Sequence, residues 1–194
     1  MNSEEARQQR DQLARWTKWA RDEGTDELPV HLSTYMREEQ RQRLTWLQRW
    51  FVPPFLEVGC SWGYIMAHLC PESAGCDINP RLVELAQFLA PERDIRVADA
   101  RNLPYSVGAF ATVVLAEVLE HLSWPDDVLQ AIVEAKRVAY RQVLVTIPNP
   151  SYQASGALSF KHKWLATPEA QETLNGWLGP GIPVGPFLCY RLAV

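Results

Sequence analysis

A short apolar strand that leads directly into a glycine turn and a helix is the feature that most constrains this chain. Residues 55–58 predict the strand, the run Gly59-Cys-Ser-Trp-Gly63 predicts a tight turn, and residues 62–69 predict the helix. Glycine lets a backbone turn sharply and approach a ligand closely, and the N-terminus of a helix offers N–H groups without partners inside the helix. The sequence therefore predicts a ligand pocket at the end of the first strand of an α/β domain.

The rest of the chain alternates strands with helices. Further strands are predicted over residues 74–78, 95–98, 111–116 and 142–147, helices over 80–90, 125–138 and 168–177, and two short closing strands after Ile182. This alternation is typical of a mostly parallel sheet with helices on both faces. We therefore expect an α/β fold with a doubly wound, mostly parallel, seven-stranded sheet.

The N-terminal part of the chain is predicted to be helical. One amphipathic helix is predicted over residues 3–21, and a second is predicted from Ser33 to about Trp50. We expect residues 1–52 to form a helical cap of the same domain, and residues 53–194 to form its core.

Two other kinds of site share the local glycine pattern. Gly59-x-Ser61-x-Gly63 also spells the nucleophile elbow of α/β-hydrolases, but an elbow follows strands already in place, and this motif lies on the first predicted strand. A dinucleotide site, G-x-G-x-x-G, would need glycine at Ser61 and at Tyr64. Both alternatives therefore fit the sequence less well.

Acidic residues end the next two strands. Asp77 lies about twenty residues past the glycine turn, where a carboxylate can accept hydrogen bonds from ribose hydroxyls. Asp99 closes the third strand, and the run Phe110 to His121 contains the fourth. In order and spacing these motifs resemble those of the class I S-adenosylmethionine-dependent methyltransferases. The resemblance covers about residues 51–180 and departs at Ala111, where the family usually has Asp.

The resemblance implies S-adenosylmethionine as the cofactor and the Rossmann-like fold of that family. An acidic residue at Asp99 would receive the adenine amino group, and the next backbone N–H, that of Ala100, would meet a ring nitrogen. The expected cofactor-binding residues are Glu57, Gly59, Cys60, Ser61, Gly63, Asp77, Ile78, Asp99, Ala100, Ala116 and Glu117. The implied reaction is in-line attack of an acceptor nucleophile on the sulfonium methyl group, which the protein promotes mainly by alignment.

The segment Glu117-x-x-Glu120-His121 provides candidates for activating the acceptor. A helical turn starting at Glu117 would place the three side chains on one face, and two carboxylates with an imidazole suit Mg²⁺ or Mn²⁺. With His162 after the fifth strand, the segment resembles the plant-type small-RNA 2′-O-methyltransferases and the O-methyltransferases of ubiquinone biosynthesis, which implies a metal beside the acceptor hydroxyl. Without a metal, His121 is the better candidate for the general base, and Glu117 is the second catalytic candidate.

The composition and charge of the chain limit the kinds of binding partner that the sequence predicts. A net charge of −4 and a pI near 5.6 argue against a nucleic-acid partner, which normally meets a basic face. No apolar run approaches the length of a membrane span. The four cysteines contain no C-x-x-C pair, which is consistent with reduced thiols in a cytoplasmic protein.

We therefore expect methyl transfer to a small-molecule acceptor, most simply to a hydroxyl oxygen of a metabolite, a sugar or a natural product. Tyr35, Arg37 and Tyr152 are candidate acceptor contacts. The alternatives are methylation of nitrogen, carbon or RNA by the same fold, and a non-catalytic protein that binds S-adenosylmethionine. The sequence leaves open whether the chain is a monomer or a homodimer.

Overall fold

A computed structural model describes residues 38–151, 164–165 and 167–194, together with the isolated positions 7, 11 and 14. Several predictions concern residues outside those ranges: the helix over residues 3–21, the helix start at Ser33, and the candidate residues Tyr35, Arg37, Tyr152 and His162. Of the predicted helical cap, the structure describes the helix that begins at Glu38 and the isolated positions 7, 11 and 14.

The elements follow one another in the order α1 (Glu38–Trp50), β1 (Phe55–Val58), α2 (Tyr64–Leu69), β2 (Ser73–Asp77), α3 (Pro80–Leu89), β3 (Ile95–Val97), β4 (Phe110–Ala116), a short 3-10 helix (Leu119–His121), α4 (Asp126–Val138), β5 (Ala139–Pro148), α5 (Pro168–Leu178), β6 (Ile182–Val184) and β7 (Phe187–Ala193). Within the described ranges, seven strands form one sheet in the order β3-β2-β1-β4-β5-β7-β6. Strands β1 to β5 pair in parallel, and β7 runs antiparallel to both of its neighbours. The predicted doubly wound, mostly parallel sheet is confirmed.

Burial on both faces explains why the central strands are mostly apolar. In β4, Val113 and Leu115 belong to one core cluster, Val114 belongs to the other, and all three are fully buried. Helices α4 and α5 cover the first face, and α1, α2 and α3 cover the second. A parallel strand that is covered on both sides needs apolar residues in both directions, so its sequence shows no alternation.

Local chemistry sets where the helices begin. The side chain of Asn79 accepts a hydrogen bond from the N–H of Arg81 at 3.0 Å, and Pro80 occupies the first position of α3, as its missing N–H allows. The helix predicted from residue 62 begins only at Tyr64, because Gly63 has a φ of 88° and ends the preceding turn. None of the helices in the described part of the chain is long and apolar enough to cross a membrane.

The strand order reverses between β1 and β4, and this reversal positions the site. Strands β2 and β3 lie on one side of β1, while β4 and β5 lie on the other. The connections that leave the carboxyl ends of β1 and β4 therefore diverge and open a crevice at that edge of the sheet. The glycine turn follows β1, and the segment 117–122 follows β4, so both border the crevice.

Candidate active site

The turn between β1 and α2 is formed by backbone in the left-handed region. Gly59, Ser61 and Gly63 have φ values of 70°, 50° and 88°. A Cβ atom at Gly59 would overlap with Cγ2 of Val118, so this position excludes a side chain for steric as well as conformational reasons. The turn thus lies directly against the segment that follows β4.

Asp77 connects this turn to the end of β2. Its Oδ2 atom accepts a hydrogen bond from the N–H of Ser61 at 2.8 Å, and its Oδ1 atom accepts one from the N–H of Asn79 at 2.8 Å. The residue is only 9% exposed. The carboxylate is therefore fixed in orientation at the tip of β2, and it fixes the loop after β1 in turn.

A cavity of about 400 Å³ lies at the carboxyl edge of the sheet. Nine of the predicted site residues line it, namely Gly59, Ser61, Asp77, Ile78, Asp99, Ala100, Ala116, Glu117 and His121. The sequence analysis did not identify four further lining residues, Val58, Ala98, Val118 and Leu122, which form apolar parts of the wall. Each of these four residues is adjacent in sequence to a predicted site residue, and this adjacency could have identified them.

Three predicted cofactor residues lie behind the cavity wall. Glu57 is buried, and its Oε2 atom accepts a hydrogen bond from the N–H of Met66 in α2 at 3.0 Å. Burial raises the pKa of Glu57 from 4.5 to about 8, and the pKa of the buried Cys60 thiol is also raised by desolvation. Gly63 caps the N-terminus of α2. In this structure the three residues shape the turn rather than face the cavity.

A buried charge cluster lies beneath the segment after β4. Oε1 of Glu117 accepts a hydrogen bond from the hydroxyl of Thr146 at 3.3 Å and lies 3.9 Å from Nη1 of Arg43. Arg43 is only 2% exposed, and its guanidinium stacks on the ring of Phe187 at 4.9 Å. Arg43 belongs to α1, far from Glu117 in sequence, and no motif pointed to it.

Glu120 forms a carboxyl–carboxylate pair with Glu117. Burial raises the pKa of Glu117, while Arg43 opposes that rise. The pKa of Glu120 is raised well above 4.5, first by burial and then by the negative charge of Glu117. Oε2 of Glu120 is enclosed and has no hydrogen-bond partner among the described residues. Glu120 is therefore the member of the pair that keeps its proton to higher pH.

The predicted metal centre is not supported by this arrangement. Glu117 has a φ of 58°, and the short 3-10 helix begins only at Leu119, so the helical turn expected to start at Glu117 does not form. Glu120 is buried whereas His121 is exposed, and within the described ranges no three His, Cys, Asp or Glu side chains are grouped to hold a metal ion. His162, the fourth predicted ligand, lies outside those ranges.

Comparison with known proteins finds similarity to methyltransferases. Residues 56–145 match a family model described as a methyltransferase domain. The chain is also 32% identical, over 132 residues, to a tRNA (carboxymethyluridine(34)-5-O)-methyltransferase of Arabidopsis thaliana. That alignment covers 66% of this chain and 31% of the relative, so the chain spans about a third of the relative's length.

Solved structures with the same fold cover most of the chain. The N-methyltransferase NodS from Bradyrhizobium japonicum WM9 has a TM-score of 0.60 at 20% identity, covering 82% of this chain and 98% of that one. The PH0226 protein from Pyrococcus horikoshii OT3 has a TM-score of 0.61 at 17% identity, covering 80% and 92%. At these identities the likeness shows a shared fold alone.

The first prediction concerns the glycine turn. Gly59→Ala should lower the free energy of unfolding by about 1–3 kcal/mol, because it places a side chain at a positive φ and against Val118. The matched control is Gly176→Ala in α5, where a Cβ atom meets nothing within 4 Å and alanine should be neutral or stabilising by up to about 1 kcal/mol. Urea denaturation measures both, and equal stabilities for the two variants would contradict the assigned strain.

The second prediction concerns the buried carboxyl group of Glu57. Since its pKa is about 8 when folded and 4.5 when exposed, the folded protein retains a proton between those pH values that the unfolded chain releases. Its contribution to stability is therefore full below pH 4.5, falls as the pH rises towards about 8, and is constant above that. Glu57→Gln keeps an oxygen for the N–H of Met66 but cannot ionise, so it should gain stability relative to the wild type across that range. Urea denaturation measures the free energy of unfolding of both proteins as a function of pH. The same pH dependence in the wild type and in Glu57→Gln would contradict the raised pKa of Glu57.

Proposed function

We propose that this chain is a class I S-adenosylmethionine-dependent methyltransferase and that it transfers the methyl group of S-adenosylmethionine to an oxygen atom of a small-molecule acceptor. The observation that carries the proposal is the single cavity bordered by Gly59, Asp77 and Asp99. These residues lie at the carboxyl ends of β1, β2 and β3, on one side of the switch point of the sheet, where open α/β sheets bind their ligands.

The residues around the cavity fit an adenosyl group. Each oxygen of Asp77 accepts one loop N–H, and a carboxylate oxygen has two lone pairs, so each oxygen keeps one lone pair for a ribose hydroxyl. Ile78 is 66% exposed at the cavity wall, and with Ala98 and Leu122 it provides apolar surface for a purine ring. An apolar cavity of about 400 Å³ with a few polar groups is of the size typical for such ligands.

Glu117 is the proposed general base. When bound, S-adenosylmethionine supplies an electrophilic methyl group on a positively charged sulfur. Glu117 lines the cavity, and its side chain is 25% exposed, so it can accept the proton that the acceptor hydroxyl loses as its oxygen forms the new bond to carbon. The hydrogen bond from Thr146 and the cation of Arg43 hold this carboxylate in place.

His121 is proposed to pass that proton to solvent. It lines the same cavity and lies on the exposed side of the short 3-10 helix. An imidazole titrates near neutral pH, so it can accept and release protons under cellular conditions. This gives the two predicted catalytic residues different tasks, with Glu117 inside and His121 at the mouth.

The charge of the cavity wall favours a neutral or cationic small molecule as the acceptor. Asp77, Asp99 and Glu117 all contribute carboxylates, and no Lys or Arg is among the lining residues in the described part of the chain. A phosphate-rich polymer would meet repulsion at this wall, because nucleic-acid sites neutralise phosphates with basic side chains.

A second candidate is methylation of a modified uridine in tRNA. The relative from Arabidopsis thaliana is a tRNA methyltransferase, and its 32% identity to this chain favours that class. Incubation with labelled S-adenosylmethionine and either bulk tRNA or a library of small hydroxyl compounds separates the two. Label that appears only in acid-precipitable RNA would replace the small-molecule proposal with the second one.

The third prediction tests the cofactor site. Asp77→Ala should weaken binding of S-adenosylmethionine by roughly tenfold to a hundredfold, since it removes charge-assisted hydrogen bonds worth about 1.5–3 kcal/mol. Asp94→Ala is the matched control, because Asp94 is a partly exposed carboxylate outside the cavity. Isothermal titration calorimetry measures both affinities. Wild-type affinity in Asp77→Ala would remove this residue from the site.

The fourth prediction tests the base. Glu117→Gln should lower kcat about a hundredfold or more with little change in KM for the donor, as expected for loss of a general base. In the wild type, kcat should fall as the pH drops through the raised pKa of Glu117, and the variant should lose this acidic limb. If kcat of Glu117→Gln still fell at low pH as in the wild type, that pH dependence would belong to another ionisable group.

A further inference from the structure

Helix α4 carries apolar side chains on two of its faces. Its buried face contributes Val128, Ile132 and Val138 to the core that covers the sheet. On the side that faces away from the sheet, Leu129 is 40% exposed and Val133 is 49% exposed. Among the described residues, α4 is the one helix that exposes two large apolar side chains. A surface helix needs one apolar face to join the core, so packing within this domain does not account for the second.

Oppositely charged residues lie at the two ends of this exposed apolar surface. Asp126 is exposed in the first turn of α4, and Lys136 is exposed in its last turn. With 3.6 residues per turn, Asp126 and Lys136 share with Leu129 and Val133 an arc of about 80° that runs about 15 Å along the helix. We call these four residues the α4 stripe.

The charges at the ends of the α4 stripe have no ionic partner among the described residues. The other charged side chains of the helix do, since Asp127 lies 3.0 Å from Arg101 and Glu134 lies 2.7 Å from Arg137. An acidic residue at the start of a helix and a basic residue at its end both suit the helix macrodipole. The macrodipole does not explain the two exposed apolar residues between them.

The α4 stripe is complementary to itself when it is reversed. At an interface with two-fold symmetry, each contact between two different residues occurs twice, once in each direction. If α4 packs antiparallel against α4 of a second copy, with the symmetry axis at the level of Ala131, Leu129 lies opposite Val133. The same axis places Asp126 opposite Lys136, because both pairs are centred on residue 131. One arrangement therefore buries the apolar centre and pairs the charges at both ends.

We propose that the α4 stripe is a homodimer interface, at which α4 packs antiparallel against α4 of a second copy of this chain. A second copy is the partner because one surface supplies both halves of the charge pattern. None of the four residues lines the cavity, so the inference does not depend on the proposed function. One helix from each copy makes a small contact for a specific interface, and we therefore expect a dissociation constant in the micromolar range.

The fifth prediction concerns the mass of the protein in solution. Between roughly 1 and 100 µM, sedimentation velocity should show the wild type moving from the mass of one chain towards that of two. Val133→Gln should weaken association by roughly tenfold, because it replaces an apolar side chain in both copies at the centre of the contact. Phe88→Gln is the matched control, since Phe88 is 48% exposed on α3 and lies outside the α4 stripe. It should associate as the wild type does.

Charge reversal tests the antiparallel arrangement. Asp126→Lys places two lysines opposite each other at both ends of the contact, and Lys136→Asp places two aspartates there. Each variant alone should therefore associate at least roughly tenfold more weakly than the wild type. An equimolar mixture of the two variants should form a heterodimer, and the double variant should recover the wild-type affinity, because both restore opposite charges. Added salt should weaken association by screening these charges.

Three outcomes would overturn the inference. A wild type that remains monomeric at roughly 100 µM would leave the α4 stripe to solvent or to a different protein. A dimer that tolerates Val133→Gln and both charge reversals would be held together by another surface. Weaker association in both reversals without recovery in their mixture would contradict the antiparallel arrangement. In each case binding of S-adenosylhomocysteine would be unaffected, so the proposed function would stand.

Discussion

The hydrogen bond from the N–H of Ser61 to the carboxylate of Asp77 is the interaction on which the site depends. It joins the loop after β1 to the tip of β2 at 2.8 Å and so fixes a turn whose backbone is held at positive φ. The missing side chain at Gly59 then lets that turn lie against Val118 in the segment after β4. Three neighbouring strand ends are thereby brought around one cavity, and the same carboxylate that holds them keeps acceptor capacity for a ligand.

Electrostatics gives the cavity its chemical character. Beneath the segment after β4, carboxyl groups outnumber cations. Arg43 interacts electrostatically with the side chains of Glu57, Glu117 and Glu120. Ionising several buried carboxyl groups close together is costly, because burial removes the water that would solvate the charges. The pKa values of these acids therefore rise, and part of the cluster stays protonated. A wall that is negative on balance suits a positively charged sulfonium donor. Glu117 is the member of this cluster that lines the cavity, and the proposed function assigns it the role of proton acceptor.

The sequence predicted the fold and nine of the residues that line the cavity, for identifiable physical reasons. A strand covered on both faces is mostly apolar, and a turn at positive φ favours glycine, so β4 and Gly59 both carry local signals. Asp77 and Asp99 were identifiable because a parallel sheet places polar residues at its carboxyl edge. Arg43 was not, since only the packing of α1 against β7 brings it to Glu117.

The described residues do not support the predicted metal cluster, and the reason is local. Residues spaced i, i+3 and i+4 share a face only on a regular helix, and Glu117 adopts a left-handed conformation before a short 3-10 helix. Ligand spacing alone did not contain that information.

The most direct test of this account is a crystal structure of the protein with S-adenosylhomocysteine. We expect the ribose hydroxyls within hydrogen-bond distance of Asp77, the adenine amino group at Asp99, and the sulfur facing Glu117. A ligand bound in another cavity, or a base that points away from Asp99, would contradict the assignment of this crevice as the methyl-donor site.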